Sequence, residues 1–509
     1  MGRKIGTVLS FITIAVEILS AMFLTPLIIR SFGQAEYGVY TLVLSVTSYL
    51  ALLDLGVGNS VVRFMSKYRA NKQYEEQRKF LGITTVYYVS IALIIIILGI
   101  ILNVLFPELF SRGLSQEEIV LGQKLLSLTT LNIAITIGTA GYFYTVVAHE
   151  NFYVSKGVSV IIAVVRVLVS LIALNSGVKS FGIVIINTLT NLISRLIIVL
   201  FVNFNIKLKP TLKNVRFSQI KEIISYSLII LMQMIATQIN NMADQILIGI
   251  LTTSSAVILA VYGVGSQINH YFQTFGGAIN SVLMPGVVRL VEKDASPQTL
   301  QKEMVRIGRI NFAFVGFIWV VFLINGQQFV NLWSGEVNRD AYIVALLLMF
   351  PMIFILTQGI GSQILWVKNK HKIQAIFKLI IVLVNIILTV MLIKWKPLLG
   401  ATIGTFISLM LGDVLIMQVV FKKEVGLNLK SYYFQLFNGI LPSLVISLIA
   451  GILFKPFSLN GWYGFIVNCF VMTFVYIFSI LLFGFNKNEK EQLAKLYNKI
   501  FKKKSKQNV

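Results

Sequence analysis

SVVRF, at residues 60–64, and GVVRL, at residues 286–290, each stand at the end of a long apolar run. Charge follows both within a few residues, as MSKYRANK after the first and VEKDASPQ after the second. The two arginines, Arg63 and Arg289, are 226 positions apart. The apolar runs they close are about 20 residues long, enough to cross a bilayer core at about 1.5 Å per residue. An arginine at the end of such a run reads as a membrane exit, and this chain writes it twice in the same words.

The composition agrees. Of 509 residues, 56% are hydrophobic and only 13% charged, where a soluble domain carries about 25% charge. The apolar residues come in blocks without the strict alternation of an outer-membrane barrel. The expected fold is therefore an all-α polytopic membrane protein. Fourteen apolar spans can be drawn, the weakest over 256–283 and 437–455. The start, MGRK before an apolar run, resembles a signal-peptide leader. The run continues to about residue 29, contains Glu17 and offers no small-residue cleavage site, so it is read as a retained first helix. Cys469 is the sole cysteine, which excludes an intrachain disulfide.

Charge tests the topology. With a cytoplasmic N-terminus, 33 of the 44 Lys and Arg residues fall on the inner side, 8 on the outer side and 3 inside spans. That excess obeys the positive-inside rule with both termini cytoplasmic. The net charge of +24 then needs no nucleic acid. It is topology plus attraction to anionic membrane lipids, and the tail NKIFKKKSKQNV belongs to the same surface effect. The longest outer loop, 107–122, is short, so the chemistry is expected within the membrane.

The repeated arginine belongs to a longer repeat. Glu17 meets Asp244 at an offset of 227, YGV 37–39 meets YGV 262–264 at 225, and Asp54 meets Asn280 at 226. Later, Gly182 meets Gly400 and Arg195 meets Asp413 at 218. Six spans are duplicated, and six is even, so both copies start on the same side. Parallel repeats of this kind relate by an axis along the membrane normal. The expected organisation is a six-helix lobe with its linker over 1–222, a second lobe over 223–430, two further helices over 431–484 and a basic cytoplasmic tail over 485–509.

Residues 25–68, TPLIIRSFGQAEYGVYTLVLSVTSYLALLDLGVGNSVVRFMSKY, resemble the amino-terminal signature of the polysaccharide transporter family. These are the Wzx-type flippases of the multidrug/oligosaccharidyl-lipid/polysaccharide exporter superfamily. Phe32-Gly33, Tyr37-Gly38-Val39-Tyr40, Asp54-Leu55-Gly56 and Arg63 carry the likeness, and the count of helices extends it over nearly the whole chain. The resemblance implies two lobes forming a V, alternating access without ATP, and a polyprenyl-diphosphate-linked oligosaccharide moved from the inner to the outer leaflet of a bacterial or archaeal cytoplasmic membrane. It implies a transporter rather than an enzyme, with glycan polymerase or ligase machinery as downstream partners. Lipid II flippases and drug/cation antiporters are the neighbouring alternatives.

A diphosphate needs cationic contacts to enter hydrocarbon, and arginine binds phosphate oxygens through two parallel N–H groups. Arg166 and Arg195 lie deep inside spans five and six, where an arginine costs at least about 2.5 kcal/mol. They read either as diphosphate or glycan contacts or as structural partners of Glu17 and Asp54. Arg63 and Arg289 read as a pair at the cytoplasmic mouth or as snorkelling anchors. Arg30 reads as a release-side contact or an outer anchor. The intramembrane Glu17, Asp54 and Asp244 are candidates for a coupling H+ or Na+. Asn241 beside Asp244, and His270 in SQINHYFQ, are candidates for a polar cavity. The chain carries no Walker loop and no Cys/His set with metal-ligand spacing, so no cofactor is expected beyond that ion. A membrane enzyme would need a larger loop or a re-entrant catalytic set than these loops supply.

Overall fold

The structure is a computed structural model; it describes residues 16, 19–20, 22–54, 56–213, 218–368, 370–455, 460–486 and 489–490. Glu17 lies outside the described residues. Every described regular element is helical: α1 (Met22–Phe32), then α2 (Gln34–Leu50), α3 (Val57–Ala70), α4 (Tyr74–Phe110), α5 (Gln116–Gly138), α6 (Ala140–Ala148), α7 (Phe152–Asn175), α8 (Ser180–Phe204), α9 (Ser218–Leu251), α10 (Ser255–Glu292), α11 (Pro297–Ser334), α12 (Ala341–Thr357), α13 (Gly359–Val367), α14 (His371–Ile393), α15 (Pro397–Leu409), α16 (Met417–Val425), α17 (Leu429–Phe437), α18 (Ile440–Phe454) and α19 (Gly461–Ser479).

Among the described residues, nine helices are long and apolar enough to cross a membrane, and up to twelve spans result if each of three bent pairs is one crossing. The shorter apolar α1 and the 34-residue α9 fall where the first and seventh of the fourteen expected spans belong. The packing is inverted relative to a protein in water. Ile172 and Phe470 are 69% and 70% exposed, while Asn311 and Asn468 are fully buried. Hydrocarbon solvates the former, whereas the amides need partners inside the protein.

Contacts divide the chain into two compact units, residues 1–264 with 378–408, and residues 265–377 with 409–509. The expected lobes divide it by repeat at 222/223; the division by packing falls elsewhere. In the first unit, α5 packs against α2, α4 and α8, α7 against α8, and α3 against α6. Val61, Met65, Phe80, Tyr88 and Ile95 belong to its core. In the second unit, α11 is the central post, packed by α12, α17, α18 and α19.

The duplication is visible in how spans break. Span four is α5 plus α6, divided at Thr139 (φ −103°, ψ 3°). Span ten is α12 plus α13, divided at Gln358 (φ −94°, ψ 7°) and bent by 47°. The segments after each break, α6 and α13, are both 9 residues long. The carbonyls freed at the second break are met by side chains. Asn280 and Asn311 donate Nδ2 to the Leu356 oxygen at 2.9 and 3.0 Å, and the Tyr432 hydroxyl donates to the Thr357 oxygen at 3.3 Å. Span two breaks as well. A 3-10 turn, Ala51–Asp54, separates α2 from α3, and α10 bends by 51° between Ser281 and Gly286.

The resemblance signature has structural uses. Glu36, in the first turn of α2, accepts from the Ser180 backbone N–H at 2.8 Å and its hydroxyl at 2.6 Å, which places a carboxylate on the start of α8. Gly56 takes a left-handed φ of 65° to begin α3.

Arg309 fastens the last two spans to α11 within the second unit. It is only 4% exposed, although it belongs to a run of charges expected at the membrane surface. Its guanidinium grips Glu489 at 2.7 and 3.0 Å and donates to the carbonyls of Gln435, Asn438 and Gly484 at 2.6, 2.8 and 2.5 Å. Removing one partner of a buried pair costs about 3–5 kcal/mol. Arg309→Ala is expected to lower the thermal stability of the detergent-solubilised protein by an amount of that order. Glu489→Gln, which keeps an acceptor, is expected to cost markedly less. Equal melting temperatures for Arg309→Ala and the parent would refute the fastening role.

Candidate functional site

Two polar clusters lie within apolar helices of the first unit. The first centres on Asp244 of α9, 2% exposed. Thr389 of α14 donates its hydroxyl to Oδ1 at 3.2 Å, and Thr405 of α15 donates to Oδ2 at 2.5 Å. The Tyr262 hydroxyl of α10 also donates to Oδ2. Asn385 completes the ring, with its Oδ1 3.1 Å from both threonine hydroxyls and its Nδ2 donating to Asn240 Oδ1 at 3.1 Å. Gly404 permits the crowding, because a Cβ there would stand 2.6 Å from the Thr389 hydroxyl oxygen.

Each threonine hydroxyl has one hydrogen and stands between a carboxylate oxygen of Asp244 and the Asn385 amide, which a flip turns into a donor toward both. Among the described residues, no Lys or Arg forms an ion pair with Asp244. No group of three or more His, Cys, Asp or Glu side chains that could hold a metal stands together among them either. One carboxylate with neutral hydroxyl and amide oxygens is the donor set of a small hard cation rather than of a transition metal.

The second cluster centres on Arg195 of α8. Its guanidinium lies over the Phe143 ring, 5.4 Å from the centroid, and its Nε donates to Asn191 Oδ1 at 3.4 Å. Asn191 is itself held by the Asn132 carbonyl groups and by Thr136 at 2.7 Å. Tyr144, within electrostatic reach of Arg195, donates its hydroxyl to Asp54 Oδ2 at 3.4 Å. Gly58 seats that ring: a Cβ at this position would fall 2.0 Å from it. Arg195 and Asp54 are thus linked through a tyrosine, and among the described residues they form no ion pair. The fully buried Tyr88 also stands within hydrogen-bonding reach of Asp54.

The remaining candidates are dispersed. Arg166, half-buried on α7, acts electrostatically on Tyr40. Arg63 on α3, Arg289 on α10 and Arg30 on α1 are exposed, as are Asn241 and His270. Asn241 is adjacent to Asp244 in sequence, but it is Asn240 that joins the cluster. His149, just past the C-terminal end of α6, is held below the usual histidine pKa chiefly by burial, with nearby Arg69 adding to the effect. Sequence reasoning missed Tyr262, Asn385, Thr389 and Thr405. The available signal was Asn385 and Thr389, four residues apart on one face of an otherwise apolar helix.

The fold has known relatives among solved structures. It is similar to the lipid II flippase MurJ in an inward closed conformation, with a TM-score of 0.69 and 17% identity over 94% of this chain and 98% of that one. It is also similar to an inward-facing multidrug resistance MATE family transporter of the MOP superfamily, at 0.65 and 14% over 80% of this chain and 94% of that one. A MOP superfamily transporter from Pyrococcus furiosus follows at 0.51 and 15%, over 83% and 95%. Identities this low speak for the fold alone. No curated protein matches the sequence. A family model does, over residues 3–291, more than half of the chain. This multi-pass membrane protein, similar in fold to those solved structures, belongs to the polysaccharide biosynthesis protein family.

Proposed function

We propose that the protein is a flippase that carries a polyprenyl-diphosphate-linked oligosaccharide from the inner to the outer leaflet of the cytoplasmic membrane. Alternating access, without ATP hydrolysis, moves the headgroup, and a cation bound at Asp244 supplies direction. Both termini face the cytoplasm. The product, delivered outside, is the substrate of glycan polymerase or ligase machinery.

The observation that carries this reading is Arg195. A guanidinium within an apolar span, supported by an aromatic ring and an amide rather than by a carboxylate among the described residues, keeps its charge available for an anion. Family membership supports a glycan substrate. The lipid II flippase among the similar folds handles another polyprenyl diphosphate, so lipid II is the nearest alternative cargo. The likeness to MATE transporters makes a drug/cation antiporter the other alternative. Membership of the polysaccharide biosynthesis protein family argues against it.

Depletion in the native host is expected to accumulate a finished lipid-linked glycan on the inner leaflet. The identity of that lipid separates the two diphosphate cargoes, whereas a rise in drug susceptibility without lipid accumulation would favour the antiporter. A hydrogen bond to a charged group contributes about 1.5–3 kcal/mol. Arg195→Ala is therefore expected to reach the membrane at normal abundance and lower substrate affinity roughly tenfold to a hundredfold. Clearance of the lipid at wild-type rate by Arg195→Ala would exclude Arg195 from the substrate path. Asp244→Asn removes the charge but keeps the size. It is expected to leave the protein folded and abolish the dependence of flipping, in vesicles, on an imposed cation gradient.

A further inference from the structure

The Arg195 cluster holds a second charge, the Asp54 carboxylate, for which transport of an anion alone has no use. Two adjacent residues of α6 hold the two charges. Phe143 lies under the Arg195 guanidinium, and Tyr144 donates its hydroxyl to Asp54. Their rings meet edge to face with centroids 5.7 Å apart. Tyr88 packs on Tyr144 at 6.3 Å and Tyr87 on Tyr88 at 5.1 Å, and both act electrostatically on Asp54. The Tyr87 hydroxyl is shut away from solvent and has no hydrogen-bond partner among the described residues. Asp54 and Arg195 are each half-buried, so a ligand can reach both.

A cation and an anion joined through a tyrosine give the site a direction. A lipid-linked glycan has the matching order, with the anionic oxygens of the diphosphate followed by the hydroxyl donors of the first sugar. A guanidinium takes the former, and a carboxylate accepts the latter through charge-assisted hydrogen bonds. Transfer of the glycan to an acceptor leaves the lipid diphosphate behind. That spent lipid has lost the hydroxyls and uncovered a further ionisable phosphate oxygen where the sugar stood. Beside Asp54 the uncovered oxygen meets a like charge and offers it no hydrogen.

Resting on the reading of Arg195 as the diphosphate contact, we propose that Asp54, steadied by Tyr144, selects the glycan-bearing lipid and rejects the sugar-free polyprenyl diphosphate. It accepts hydroxyls of the first sugar and repels the bare terminal phosphate. A repulsive element is what refuses a ligand whose remaining parts all fit. The spent lipid therefore does not compete with the cargo for Arg195.

The test is the binding of two probes to the full-length protein in detergent. One is farnesyl diphosphate carrying a single N-acetylglucosamine, the other farnesyl diphosphate alone. The parent is expected to bind the sugar-bearing probe about tenfold or more tightly than the bare one. Asp54→Asn keeps the size and removes the charge. It is expected to bind the bare probe about tenfold more tightly than the parent does, and to lose most of the preference. Damage to the fold cannot raise an affinity, so this gain separates selection from a structural role. Arg195→Ala is expected to weaken both probes and leave their ratio unchanged. Should Asp54→Asn fail to fold, Asp54→Ser, uncharged and smaller, takes its place. A parent-like ratio in the uncharged variant, or a parent that binds both probes equally, overturns the selection and leaves Arg195 as the diphosphate contact. A parent that binds neither probe, or an Arg195→Ala variant that binds both as the parent does, removes that contact, and the proposal falls with it.

Discussion

Hydrocarbon offers no hydrogen bonds, and this constraint organises the molecule. A helix satisfies its own backbone, so the chain is built of helices. Wherever a helix breaks, a side chain has to take over. Asn280, Asn311 and Tyr432 do so at the division between α12 and α13. Buried polar side chains face the same requirement and gather into rings such as that around Asp244. Polar residues buried within the spans are therefore mutually dependent, while apolar residues form both the core and the exposed faces.

Much of the fold was legible in the sequence because a bilayer imposes a length. Blocks of apolar residues sufficed for an all-helical polytopic fold, of which nine to twelve spans stand among the described residues. The breaks within spans were not legible. Thr139 and Gln358 are ordinary residues, and the glycines beside them, Gly138 and Gly359, resemble those found inside unbroken helices of the same chain.

The candidate site was legible where it was charged. Asp244, Asp54, Arg166 and Arg195 are conspicuous against an apolar background. Their neutral partners were not. Asn385, Thr389 and Thr405 reach Asp244 from 141 to 161 positions away, and an apolar helix with few polar residues gives little sign of which face meets a neighbour. Arg309 failed for the opposite reason. Many cations cluster between the apolar runs, and nothing in the pattern distinguished the one that is buried and gripping Glu489.

The side-chain caps at the α12–α13 break have a mechanical consequence. Straightening or further bending an intact helix in hydrocarbon would strip backbone groups of their partners, at several kcal/mol each. At this break the partners are amide and phenol side chains that can swing with the carbonyl they hold. Exchange of one such bond for another involves only about 1 kcal/mol. The span is a stiff rod with one compliant joint, whose 9-residue arm α13 can tilt while α12 keeps its packing.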